Sequence, residues 1–186
     1  MGKKYSLDTL QKFLDKYKCF EELGFNEFHI NVYYLEWQGN KGNIIFNDFL
    51  WSLFNKAIDL NGDYFSSTGD EYGFYFNNYL IYSNMARFRS EEGANKKVIN
   101  KFIKLAQDAS YQRDVCNLNE NLEYQVVIIS GGCCGYCDSL NNTKYDLDYY
   151  NRKPRLDVTK CTRETGCNCC TSIIVKRDKN GRIMRK

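Results

Sequence analysis

Tyr124-Gln125-Val126-Val127-Ile128-Ile129-Ser130-Gly131-Gly132-Cys133-Cys134-Gly135-Tyr136-Cys137 is the stretch on which the fold turns. Its first half, Glu123 to Ser130, is rich in β-branched residues and reads as a buried strand. Its second half ends in a C-x-x-C knuckle, Cys134 to Cys137, in which two thiolates and two turn amides converge on one ion. Downstream, Cys161-Thr162-Arg163-Glu164-Thr165-Gly166-Cys167-Asn168-Cys169-Cys170 supplies more thiols. Soft thiolates in a tetrahedron suit Zn²⁺. The expected ligands are Cys134, Cys137, Cys161 and one of Cys167 or Cys169, with Cys133 and Cys170 turned away. Gly135 and Gly166 permit the tight backbone. Four thiolates would leave no open position for water, so the metal is expected to be structural. The competing readings are buried thiols without a metal, disulfides in an exported protein, and an iron–sulfur cluster, though neither ferredoxin spacing is matched.

The chain has 186 residues, 9 cysteines and 29 aromatic residues. That length suits one domain with a core of its own. No apolar run approaches the roughly 20 residues that span a membrane, and Met1 to Leu10 has no signal-peptide pattern. Reduced cysteines in the cytoplasm of a bacterial-type cell are therefore expected, with metal binding as their use. Met1-Gly2-Lys3-Lys4-Tyr5-Ser6 fits a myristoylation pattern, but Ser6 is equally a helix N-cap.

Periodicity predicts an α+β fold, with three helices on an antiparallel sheet. A helix over 6–18 is capped by Ser6. A second starts at Asn47, with Leu50, Leu53, Phe54, Ala57 and Ile58 as its buried stripe. A third runs from Glu91 to Ala109 with Ser90 as its cap. Alternation predicts a strand over Phe28 to Trp37, then a turn over Gln38 to Asn43. Paired strands are predicted over Phe74–Phe76 and Tyr79–Tyr82, around Asn77-Asn78. Residues 59–71 read as a loop. Ser172 to Val175 and Arg182 to Arg185 read as a terminal hairpin around Asn180-Gly181. The division is an α+β body over 1–122 and a Cys-rich zinc subdomain with its hairpin over 123–186.

Residues 1–150 carry a net charge of −5 and residues 151–186 a net charge of +8. Lys176, Arg177, Arg182 and Arg185 on the hairpin are therefore candidates for contacting a phosphate backbone or a protein. The bland reading is a solvated edge kept from aggregating. Asp59, Asn61, Asp63 and Asp70 occupy positions 1, 3, 5 and 12 of a calcium-loop pattern, but Tyr64 stands where that loop needs Gly. His29 is the only histidine, and no motif supplies it with a nucleophile.

Residues 124–170 resemble the C-terminal zinc motif of phage minor head (head morphogenesis) proteins. The strand, the knuckle, Asp138-Ser139-Leu140-Asn141-Asn142 and Gly166-Cys167-Asn168-Cys169 carry the likeness, over about a quarter of the chain. Cys161 falls where that family has a His, and Asn141-Asn142 where it has Asp-Gly. The resemblance implies a zinc site and a particle component. Three function classes follow. One is a non-catalytic zinc-stabilised module, phage or mobile-element encoded, that binds a host protein or ribonucleoprotein. The others are a structural component of a phage particle and an enzyme with an unrecognised site.

Overall fold

The computed structural model describes residues 6–40, 45–132 and 134–186. Among them are eight helices, one turn of 3-10 helix and a three-stranded antiparallel sheet, so the fold is α+β. The N-terminal two thirds are helical: α1 (Leu7–Lys16), α2 (Lys18–Glu22), α3 (Glu27–Asn40), α4 (Phe46–Thr68), α5 (Glu71–Glu91) and α6 (Lys96–Cys116). Then come β1 (Tyr124–Ile129), α7 (Gly135–Ser139), β2 (Lys144–Asp146), α8 (Leu147–Arg152), the 3-10 turn Val158–Lys160 and β3 (Cys170–Val175). None of the helices is long and apolar enough to cross a membrane.

Ser6 caps α1, its hydroxyl accepting from the Thr9 N–H as expected. The start Met1–Tyr5, on which the acylation pattern rests, lies outside the described residues, as does Lys41 to Asn43 of the expected turn. Gln38 to Asn40 instead end α3.

Several expected elements are corrected. Phe28 to Trp37 is not a strand but the body of α3. Apolar residues occupy both faces there, so periods of 2 and 3.6 fit alike. Burial of Ile30 and Trp37, seven residues apart, settles it as helical. The expected strand pair at Phe74–Phe76 and Tyr79–Tyr82 is the middle of α5. Asn77 and Asn78 make no turn. They bond Asn61 of α4, with Asn77 Nδ2 to Asn61 Oδ1 at 2.9 Å and Asn61 Nδ2 to Asn78 Oδ1 at 3.1 Å. Asn61 is fully buried and also donates to the Phe74 carbonyl, so a satisfied polar network joins the two helices.

The expected loop over 59–71 is mostly helix, because the stripe from Phe46 to Ala57 continues to Asn61 and α4 ends only at Gly69, with φ of 67°. The calcium-loop pattern dissolves with it. Asp59 and Asp63 are exposed on a helix, Asn61 is buried, and Asp70 caps α5 by accepting from the Gly73 N–H. The helix expected from Glu91 starts at Lys96, capped by Asn95 rather than Ser90. Asn47 is no cap either, since α4 opens at Phe46 without a side-chain cap.

Three apolar clusters form the interior. The largest gathers α1 to α5 around Phe54, Leu53 and Phe20. The second surrounds the cysteines, and the third lies under the sheet with Val126, Ile128 and Tyr150. Helix α6 reaches all three: Phe102 packs on the first, Ile103 on the second and Tyr111 on the third.

In the sheet β1 is central, in the order β2-β1-β3. Val127 pairs with Lys144 of β2 and with Ser172 of β3. The C-terminal segment turns back as expected, although it forms single bridges, Arg177 with Ile183 and Leu122 with Arg185, and not a second strand. The turn is wider than an Asn-Gly pair. The Asp178 carboxylate accepts from the N–H groups of Asn180 and Arg182, and Gly181 takes φ of 79°.

Candidate metal centre

Five cysteines converge in two triads, Cys134–Cys137–Cys161 and Cys137–Cys167–Cys169, whose sulfurs lie within 4.8 Å of one another in each. Three separate pieces of chain deliver them. Cys134 and Cys137 bracket the start of α7, Cys161 follows the 3-10 turn, and Cys167 and Cys169 precede β3. The three segments meet because β1 and β3 are paired and the 3-10 turn packs on α6.

The Cys134–Cys161 sulfurs are 3.9 Å apart and the Cys137–Cys167 sulfurs 3.7 Å. A tetrahedron with Zn–S bonds of 2.3 Å has edges of about 3.8 Å. Cys137, Cys161, Cys167 and Cys169 are buried and Cys134 is half-buried. The donor set and its spacing thus fit a tetrahedral thiophilic ion.

The electrostatics agree. The Cys134 sulfur accepts backbone N–H groups of Cys137 and Thr162, which pull its thiol down to about 6 and favour the thiolate. Burial pushes the Cys167 thiol well up. A buried thiol of that kind stays protonated unless a cation compensates the charge, and a bound divalent metal deprotonates its thiols outright. The Gly131 N–H points at the Cys169 sulfur at 3.4 Å.

Of the other cysteines, Cys170 is exposed and belongs to neither triad, as expected. Cys133 lies outside the described residues. Cys19 sits in the helical core, where burial raises its thiol to about 12. Cys116, at the end of α6, donates to Glu71 at 3.6 Å.

Helix α6 forms the back wall, a role the cysteine spacing gave no sign of. Asn100 Nδ2 donates to the Val158 carbonyl at 3.1 Å, and Gln107 Nε2 donates to the Cys169 carbonyl. With Ile103 between them, these residues follow i, i+3, i+7 spacing on one face. Two polar residues interrupting an apolar face were the available signal. Gly166 abuts this wall with φ of 93°, and a Cβ there would stand 2.3 Å from Ile103 Cδ1. Gly131 is tied by space alone, because its Cβ would be 2.7 Å from Asn168 Cβ.

His29 is far from this chemistry in role. Its N–H donates to Asn26 Oδ1 at 3.2 Å, and its Nδ1 accepts from the Asn26 N–H at 3.4 Å. That reciprocal pair is a capping box with His in the third position of α3.

The four basic hairpin residues do not behave alike. Lys176 is half-buried and paired with Glu123 and Asp146 across the sheet. Arg177 donates to the Gly181 carbonyl at 2.8 Å within its own turn. Arg182 and Arg185 are exposed, with no ion-pair partner among the described residues.

No protein-family model matches the chain, and neither a curated protein nor a solved structure does.

Proposed function

We propose that the chain is a non-catalytic binding module whose C-terminal third is held together by one structural Zn²⁺, and that it acts by binding a host protein or nucleoprotein. The observation that carries this reading is the closed set of thiols. Five sulfurs drawn from three segments, four of them buried, leave a metal no open coordination position for a substrate or a water. Cys134, Cys137 and Cys161 supply three ligands, and Cys167 or Cys169 the fourth. The ion would fasten the start of β3 to α7 and the wall of α6, and β3 carries the basic hairpin at its far end, where it bridges back to the start of β1.

On this reading Arg182 and Arg185 meet the polyanion, and Lys176 does not. Changing Arg182 and Arg185 to Gln is expected to weaken binding to a mixed-sequence RNA duplex. It should flatten the slope of log K against log salt by about two, since each neutralised phosphate contributes roughly 0.9. Equal affinity of the variant and parent across the salt series would remove nucleic acid as the partner.

A further inference from the structure

Helices α5 and α6 pack against each other, and the α5 side of one seam is built from short side chains. Ser83, Ala86 and Ser90 follow i, i+3 and i+7 spacing there, and α6 answers with Ile99, Ile103 and Ala106 at i, i+4 and i+7. All six line a furrow of about 560 Å³, within the size range of small-molecule sites. A further wall is the loop over 161–169, which Gln107 of α6 ties down through the Cys169 carbonyl. Ala86, Ile99 and Ala106 are buried residues, so the floor of the furrow is hydrocarbon.

The charged groups on its walls are unequal. Arg163 of the loop lines the furrow and is half-buried, and its side chain has no ion-pair or hydrogen-bond partner among the described residues. Glu91, the carboxylate of the lining, is already engaged. It accepts from Arg87 at 3.0 Å and from the Tyr17 hydroxyl at 2.8 Å, and it pairs with Lys16. A guanidinium drawn partly out of water calls for an anion, and its planar fork matches a carboxylate through two parallel hydrogen bonds. One guanidinium balances the single charge of a carboxylate, whereas a phosphate dianion would be left half neutralised. The half-buried hydroxyls of Ser83 and Ser90 also have no partner among the described residues, and they add donors on the α5 wall.

We infer that this furrow is a binding site for a small amphiphilic monocarboxylate, with Arg163 on the carboxylate and the α5–α6 seam around its aliphatic chain. An apolar slot with a few polar groups that fix orientation is the usual build of such a site. The inference adds a small ligand to a module otherwise read as binding macromolecules. It depends neither on the basic hairpin nor on the identity of the ion.

The test is calorimetric titration of the full chain with decanoate, decylammonium and decyl phosphate, each below its micellar range. Decanoate is expected to bind with a Kd below about 0.1 mM, and decylammonium at least tenfold more weakly. Arg163→Gln should weaken decanoate by about tenfold or more, the worth of a hydrogen-bonded charge. Ser83→Leu should weaken it comparably by filling the furrow from α5, far along the chain from the cysteine loop, with Arg163 intact. Circular dichroism should be unchanged in both variants. The inference is overturned if decanoate gives no binding up to about 1 mM, or if decylammonium binds as tightly. It is equally overturned if either folded variant keeps parental affinity. Tighter binding of decyl phosphate than of decanoate would overturn the carboxylate assignment.

Discussion

Replacing Cys137 with serine is expected to abolish the metal site and release the C-terminal third. Cys137 is fully buried, belongs to both thiol triads, and lends its backbone N–H to the Cys134 sulfur. No other described cysteine has all three attributes. Metal affinity should fall by more than about a hundredfold, because even outer-shell partners of a ligand are worth about 10- to 100-fold. Structural zinc supplies on the order of 10 kcal/mol or more in small zinc domains, so its loss cannot be absorbed by a three-stranded sheet alone. Amide exchange should therefore speed up across β1 and β3. Helices α1 to α5 should stay protected, since their aromatic core contains none of the clustered cysteines. Unchanged protection of β1 and β3 in the serine variant would show that the sheet needs no metal.

Phe54→Ala is expected to have the converse pattern. Phe54 is fully buried, and its ring lies 5.0 Å from Phe20, 5.5 Å from Tyr17 and 5.7 Å from Phe88, centroid to centroid. Those rings come from the α1–α2 junction, α2 and α5, so truncation of Phe54 in α4 opens a cavity where these elements meet. A loss of about 3–5 kcal/mol is expected, seen as a fall in the denaturant midpoint. Metal content should be unaltered. A loss under about 1 kcal/mol would mean that the aromatic cluster collapses around the gap or is not the core it is taken to be.

The two regions differ in how far their sequences declare their structure. In the C-terminal third, chemistry is explicit. A C-x-x-C after a β-branched run and a dense second cluster point to convergence without any knowledge of the intervening path, and five of the named thiols do converge. The helical body is harder because of its aromatics. In α3 and α5, Phe and Tyr stand on nearly every face, so alternation and helical spacing coexist and strand propensity misleads. Asn77-Asn78 looks like a turn because Asn tolerates positive φ. Its role depends on Asn61, sixteen and seventeen residues away, and no local pattern discloses that partner. The same holds for Lys176, whose position in a basic tail suggests an open surface. Its neighbours Glu123 and Asp146 arrive only when β2 and β3 flank β1. Where a side chain's meaning lies in a long-range pairing, composition describes the surface and not the contact.

The cysteine cluster and the basic hairpin lie at opposite ends of the β1–β3 pair: Cys170 pairs with Ile129 beside the cluster, whereas the hairpin bridges back to Leu122 at the start of β1. Helix α6 joins the cluster to the helical core through Ile103 and Phe102, so the metal end and the helical end share one rigid wall. Loss of the metal is expected to loosen the first without unfolding the second.

Elemental analysis of the protein purified without added metal or chelator, combined with a thiol count under native conditions, tests the central claim most directly. One zinc per chain is expected, with the clustered thiols silent to the reagent until zinc is stripped. A protein free of zinc whose clustered thiols all react while it remains folded would contradict it.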